Sequence, residues 1–189
     1  MHNNHIDLNE LSQLKEFFNL FSSGYHLNRW ANASLWHELE QHSDQYQALF
    51  KNLGFDLEID SRGFAWFHDE EGNPNITKQS RQLALLIMVI FDYQADSGRD
   101  LGQFYQWIID RELLSAVYEK HQALLDAEEL DQDALVKILD VAVRKGFAAQ
   151  ENIHWQLLPA VYRYLDHFEA ITEKAMDNSA QKVEEDESC

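Results

Sequence analysis

Apolar positions along the chain follow two rhythms that alternate twice. Leu8, Leu11, Leu14, Phe18 and Phe21 stand three and four residues apart, which predicts an amphipathic helix over Asp7 to Ser22, stopped at Gly24. Leu35, Trp36, Leu39, Tyr46, Leu49, Phe50 and Leu53 predict two short helices or one bent one, with Ser34 as N-cap and Gly54 as the end. The period then switches to two. In FDLEID, Phe55, Leu57 and Ile59 alternate with Asp56, Glu58 and Asp60. Ser61-Arg62-Gly63 reads as a turn, and Phe64 to Asp69 as the returning strand of a β-hairpin.

EEGNPN, residues 70–75, gathers Gly, Asn, Pro and charge and marks an internal boundary. Beyond it the order repeats. Thr77 is placed to cap a long helix running to about Ala95. A short helix around Leu101–Ile109 follows, then one from Arg111 to Leu125. A helix starting at Asp131 or Gln132 carries Leu135, Ile138, Leu139, Ala142 and Val143 on one stripe and ends at Gly146. Phe147–Glu151 and Ile153–Leu157 predict a second hairpin, with Ile153, Trp155 and Leu157 inward and His154 and Gln156 outward. Pro159 opens a closing helix with Val161, Tyr162, Leu165, Phe168 and Ile171 on its apolar side.

Helices followed by a hairpin, twice over, is the order of two winged helix-turn-helix units. The expected fold is therefore mainly α with short β-hairpins in two tandem winged-helix modules. The N-terminal module spans 5–72 and the C-terminal module 76–175. Residues 177–189 lose the pattern and predict an acidic disordered tail.

Charge narrows the partners. The 189 residues hold 33 Asp+Glu against 15 Lys+Arg, for a net charge of −18. The excess is spread: −8 over residues 1–72, −6 over 73–176 and −4 over 177–189. Such a chain is repelled by phosphate backbones, so strong DNA binding on its own is not expected. The longest apolar run, Leu83–Phe91, has nine residues, too few to span a bilayer. MHNNHIDLNELSQL lacks the basic region and apolar core of a secretory signal, which makes the cytoplasm the expected compartment.

Few residues invite chemistry. The single Cys189 excludes a disulfide scaffold and cysteine-rich zinc sites. The nine His include no HExxH or HxxEH, and His37 and His42 fall on different sides of a helix. No metal and no cofactor is expected. GxSxG, GxGxxG and GxxxxGK[ST] are absent. Asp92, after Ile90-Phe91, is the one carboxylate with partly apolar neighbours, and a solvated or structural role is its simpler reading. No enzyme is expected.

Two kinds of contact residue remain. If the helix before Gly146 is a recognition helix, it presents Lys137, Arg144 and Lys145, and the first wing presents Arg62. Asp133, Asp140 and the three carboxylates on the outer face of the first hairpin oppose that role. Ordinary surface charge is the competing reading. For protein contact, Phe104, Tyr105, Trp107 and Ile108 make a short segment with more apolar surface than one side can bury. Tyr162 and Tyr164 add aromatic surface on the closing helix.

LEIDSRGFAWF (57–67), TKQSRQLALLIMVIFDYQ (77–94), LDVAVRKGFAAQ (139–150) and WQLLPAVYRYLDHF (155–168) give the chain a resemblance to the MukE/MksE family over about residues 5–175. These are the small, kleisin-interacting subunits of bacterial condensins of the MukBEF and MksBEF type. The chain also resembles the related subunit of plasmid-defence complexes. The resemblance implies a homodimer that binds a MukF/MksF-like kleisin and, through it, a MukB/MksB-like coiled-coil ATPase. It implies no catalytic residue, a nucleoid-associated location, and DNA contact only weakly or within the assembled complex. There Arg62, Lys137, Arg144 and Lys145 are the candidates by position. The alternative on the same fold is a winged-helix transcriptional regulator, which binds a duplex alone with steep salt dependence.

Overall fold

The computed structural model describes residues 6–68 and 78–186, with side chains described to Lys174. The first part runs α1 (Leu14–Ser22), β1 (Leu27–Asn28), α2 (Ala33–Gln41), α3 (Ser43–Asn52), β2 (Asp56–Asp60) and β3 (Phe64–His68). The second runs α4 (Lys78–Asp96), a 3-10 helix (Leu101–Gln106), α5 (Arg111–Ala127) and α6 (Gln132–Arg144). It continues with β4 (Ala148–Glu151), β5 (His154–Leu157), a 3-10 turn (Pro159–Val161) and α7 (Tyr162–Asp186).

The period-two segment forms the expected hairpin. Asp60 pairs with Phe64 across the three-residue loop, where Gly63 takes φ +92°, a conformation open to glycine. A third strand was not legible: β1 pairs with β3, giving the antiparallel order β1-β3-β2. The second hairpin pairs Ala148 with Leu157 through Glu151 with His154. Ile109 bridges to Trp155 on its far edge, just as β1 flanks the first hairpin.

Two groups of buried side chains form the core. Leu11, Phe17, Phe21, Leu27, Trp36, Leu39, Tyr46, Phe50, Leu57 and Ala65 pack in the first part. The second extends from Leu83 on α4 to Val161 and takes in Phe64 from β3, so the hairpin contributes to both.

Between the parts lies a seam of buried polar bonds. The His26 backbone N–H donates to Lys145 O at 2.9 Å. Asn28 Nδ2 donates to His26 O and Gly146 O, both at 2.8 Å, and Asn28 Oδ1 accepts from Ala160 N–H at 3.2 Å. Only glycine fits at 146. Its φ is +76°, and a Cβ there would lie 2.1 Å from His26 O.

Several expectations are corrected. α1 starts at Leu14, not Asp7: the Asp7 carboxylate accepts from the Asn9 N–H and turns the chain there, leaving Leu8 60% exposed. Its buried face is Phe17 and Phe21, and Phe18 points outward. Asn32, not Ser34, precedes α2, and its side chain accepts from the Tyr25 hydroxyl and the Asn28 N–H. The segment Leu101–Ile109 leaves its 3-10 helix at Gln106 so that Ile109 can bridge to Trp155. Ile153 does not face inward but occupies the two-residue turn with Asn152. α7 runs on to Asp186, past residue 177 where a disordered tail was expected, because no Gly or Pro follows Pro159 and helix formers dominate. The proposed Thr77 cap and the 70–75 boundary lie outside the described residues.

Candidate functional site

α6 is built as the sequence implies. Asp131 caps it, its carboxylate accepting from the Ala134 N–H at 2.8 Å, and Leu135, Ile138, Leu139 and Ala142 are buried. Lys137 and Arg144 are exposed, and among the described residues neither is in an ion pair. Asp133, Lys137, Asp140 and Arg144 follow one another at four- and three-residue steps, so this face alternates in sign and carries no net charge. A free phosphate backbone gains little there by charge alone.

The other two basic candidates are engaged within the molecule. Lys145 ends α6, and its ammonium donates to Ser23 O in the first part. Arg62 at the hairpin loop forks between Asp60 and Asp166, with Nη2 at 2.7 Å from each carboxylate. Its guanidinium also lies 4.5 Å from the Tyr162 ring centroid. The two carboxylates hold the Arg62 pKa above its ordinary value, and Arg62 in turn holds the Asp60 carboxyl below the usual range. Arg62 thus fastens the first hairpin to α7.

The aromatic candidates separate into core and surface. Phe104 and Trp107 are buried, which removes them from any surface role: Phe104 meets Tyr162 edge-on at 5.0 Å, and Trp107 meets Phe91 at 4.8 Å. Tyr105, Tyr162 and Tyr164 are half-buried, and Tyr105 contacts Trp30 of the first part at 4.9 Å. Ile108 is 67% exposed and Ile153, at the tip of the second hairpin, 73%. A shallow pocket lies beside Ile108, lined also by Gln106, Glu151, Asn152, His154, Trp155 and Gln156. A second apolar groove runs along α1, where Leu14 and Phe18 meet Phe50 and Leu53.

Carboxylate chemistry finds no footing at Asp92. It is exposed, and Lys120 bridges it to Asp96 with both contacts at 2.6 Å. Lys120 holds the Asp92 carboxyl below its usual value, the reverse of what a general acid requires. No described helix is long and apolar enough to cross a membrane.

Sequence reasoning missed His26 and Arg163, which meet across the seam. The ring atom His26 Nδ1 lies 3.0 Å from Lys145 O; a carbonyl only accepts, so Nδ1 carries the proton. That leaves Nε2 as a lone pair, and it accepts from Arg163 Nη1. Burial first, and the Arg163 charge second, lower the His26 pKa to about 3, so the ring is neutral. No local pattern foretells a pair 137 residues apart.

No curated protein matches the chain. The family model for the condensin complex protein MksE matches residues 12–169, from just before α1 into the first third of α7. The chain belongs to the MksE family of condensin complex proteins, whose members are non-catalytic subunits.

Proposed function

We propose that this chain acts as a homodimer that holds a kleisin and, through it, a coiled-coil ATPase, in a nucleoid-associated condensin of the cytoplasm. The observation that carries this reading is the family match over 12–169. The two modules, 5–72 and 76–175, are winged-helix units. The repeated order supports this: a helix, a short edge pairing, two helices and a hairpin, seen once with β1 on β3 and again with Ile109 on Trp155.

Partner contact falls on surface that the core leaves open. Ile108 and Ile153, with the half-buried Tyr105, Tyr162 and Tyr164, are the residues we assign to it. DNA contact within the complex falls to Lys137 and Arg144, which are exposed, since Arg62 is paired with two carboxylates and Lys145 turns from the α6 face into the seam beside Ser23. The test is affinity capture of the tagged chain from its native cells with mass spectrometry of the eluate. Near-stoichiometric recovery of a kleisin and a coiled-coil ATPase is the expected result. A clean homodimer without them overturns the reading.

A further inference from the structure

A cleft of about 650 Å³ opens on the seam, between the first turns of α4, the end of α6 and the start of α7. Its charged and titratable lining is Lys145, Arg163, His26, His167 and Tyr164, with no Asp or Glu among the described residues that form it. In a chain with 33 acids against 15 Lys+Arg, a cleft whose described lining holds two cations and no carboxylate is a local reversal of sign.

Arg163 is the centre of that reversal. The guanidinium is half-buried and has no carboxylate partner among the described residues. Burial pulls its pKa below the ordinary value, and the neighbouring Tyr164 offsets this only in part. Its position is fixed on two sides: Nη1 donates to His26 Nε2, and the plane sits 4.6 Å from the Trp66 ring centroid. A guanidinium has five N–H donors, and a neutral imidazole uses one. A desolvated cation with donors to spare, beside the Lys145 ammonium and the exposed His167, is arranged as an oxyanion receptor. Leu83, Val141 and Phe147 supply an apolar wall next to it.

We propose that this cleft binds a phosphate monoester of about mononucleotide size, with the phosphate on Arg163, Lys145 and His167 and the body of the ligand against Leu83, Val141 and Phe147. A dianion draws on Arg163 and Lys145 at once and gains more here than a single carboxylate. The volume suits a small molecule rather than one lone ion. The half-buried position of Arg163 favours a free ester or a strand end over a continuous duplex backbone.

The test is calorimetric titration of the full chain with thymidine monophosphate, and with thymidine as the control that lacks only the phosphate. Saturable binding at submillimolar concentration, at least tenfold tighter than thymidine, is expected. Two variants assign it. Arg163→Gln removes the charge, and Arg163→Lys restores part of the affinity. His167→Glu places a carboxylate at the exposed mouth without touching the seam, and decides the matter if the Arg163 variants do not fold. Each loss variant is expected to weaken binding at least tenfold. Equal binding of thymidine and its monophosphate, or binding that His167→Glu leaves unchanged, overturns the proposal. Decanucleotides with 5′-phosphate or 5′-hydroxyl ends separate the two sources: a strand end competes with thymidine monophosphate only when phosphorylated, and a site for free esters admits neither.

Discussion

Asn28 and Ala160 are joined by a buried hydrogen bond, Ala160 N–H to Asn28 Oδ1 at 3.2 Å, across 132 residues of sequence. The same side chain donates to Gly146 O, so one amide satisfies backbone groups on both sides of the second hairpin. Asn28→Ala strips these partners and leaves a buried N–H and carbonyls unpaired. The expected loss is roughly 2–3 kcal/mol, the usual cost of orphaning buried polar groups. Urea unfolding reads it as a lower midpoint at unchanged slope. A change below about 0.5 kcal/mol, the scale of ordinary surface substitutions, would mean that water replaces the amide without cost.

Gly146 and Gly54 share a left-handed backbone, φ +76° and +86°, but not their surroundings. A Cβ at 54 meets nothing within 4 Å, whereas one at 146 runs into His26 O. Gly54→Ala is therefore expected to cost only the conformational strain, about 1–2 kcal/mol. Gly146→Ala must also push the seam apart and is expected to cost clearly more or to prevent folding. Paired thermal melts make the comparison, and equal losses would show that the seam yields easily.

Acid should weaken the fold before the carboxylates titrate. The folded His26 holds a pKa of about 3 against 6.5 unfolded, so below pH 6.5 the unfolded chain binds a proton that the folded chain refuses. Stability is full above 6.5 and falls as pH drops toward 3, by up to about 1.4 kcal/mol per pH unit from this one group. Unfolding midpoints between pH 7 and 4 measure it. An imidazole NMR titration with His26 protonating near 6 contradicts it.

Arg62→Gln separates fastening from DNA contact. Its carboxylate partners are partly exposed, so the expected stability loss is modest, about 1 kcal/mol. Asp60 adds a pH signature. Its folded pKa lies below 3.8, so Arg62 contributes above that value and the contribution fades as pH falls through the folded one. The variant is expected to converge with the parent in strong acid, and a constant gap at all pH values points to lost packing against Tyr162.

Surface and core substitutions should divide cleanly. Ile108→Glu and the pair Lys137→Glu with Arg144→Glu touch exposed positions and are expected to shift stability by less than about 0.5 kcal/mol. Phe104→Ala opens the core and should cost about 3–5 kcal/mol. In the reconstituted complex, Ile108→Glu is expected to reduce partner recovery and the α6 reversal to reduce DNA binding. Full retention of either function assigns those residues to ordinary surface.

What the sequence made legible follows from range. The hairpin 56–68 carries its own period and turn, and α6 its own stripe, N-cap and terminal glycine, so both are readable locally. β1 is two residues long, too short for any period to register. In α1 the adjacent Phe17 and Phe18 leave the phase ambiguous by one residue, and only packing against Tyr46 decides which is buried. The contact residues were less legible because charge and aromaticity do not reveal partners. Arg62 finds Asp166 over 104 residues, and Phe104 finds Tyr162 in the core.

Leu27–Asn28 is strand on one side and polar staple on the other, and that double duty has a mechanical consequence. Any partner that swung one half of the molecule against the other would have to break the bonds to Gly146 and Ala160, the same ones a denaturant breaks. The short strand therefore couples relative motion of the two halves to the same buried bonds that hold the fold, so the halves move as one unit for as long as those bonds persist.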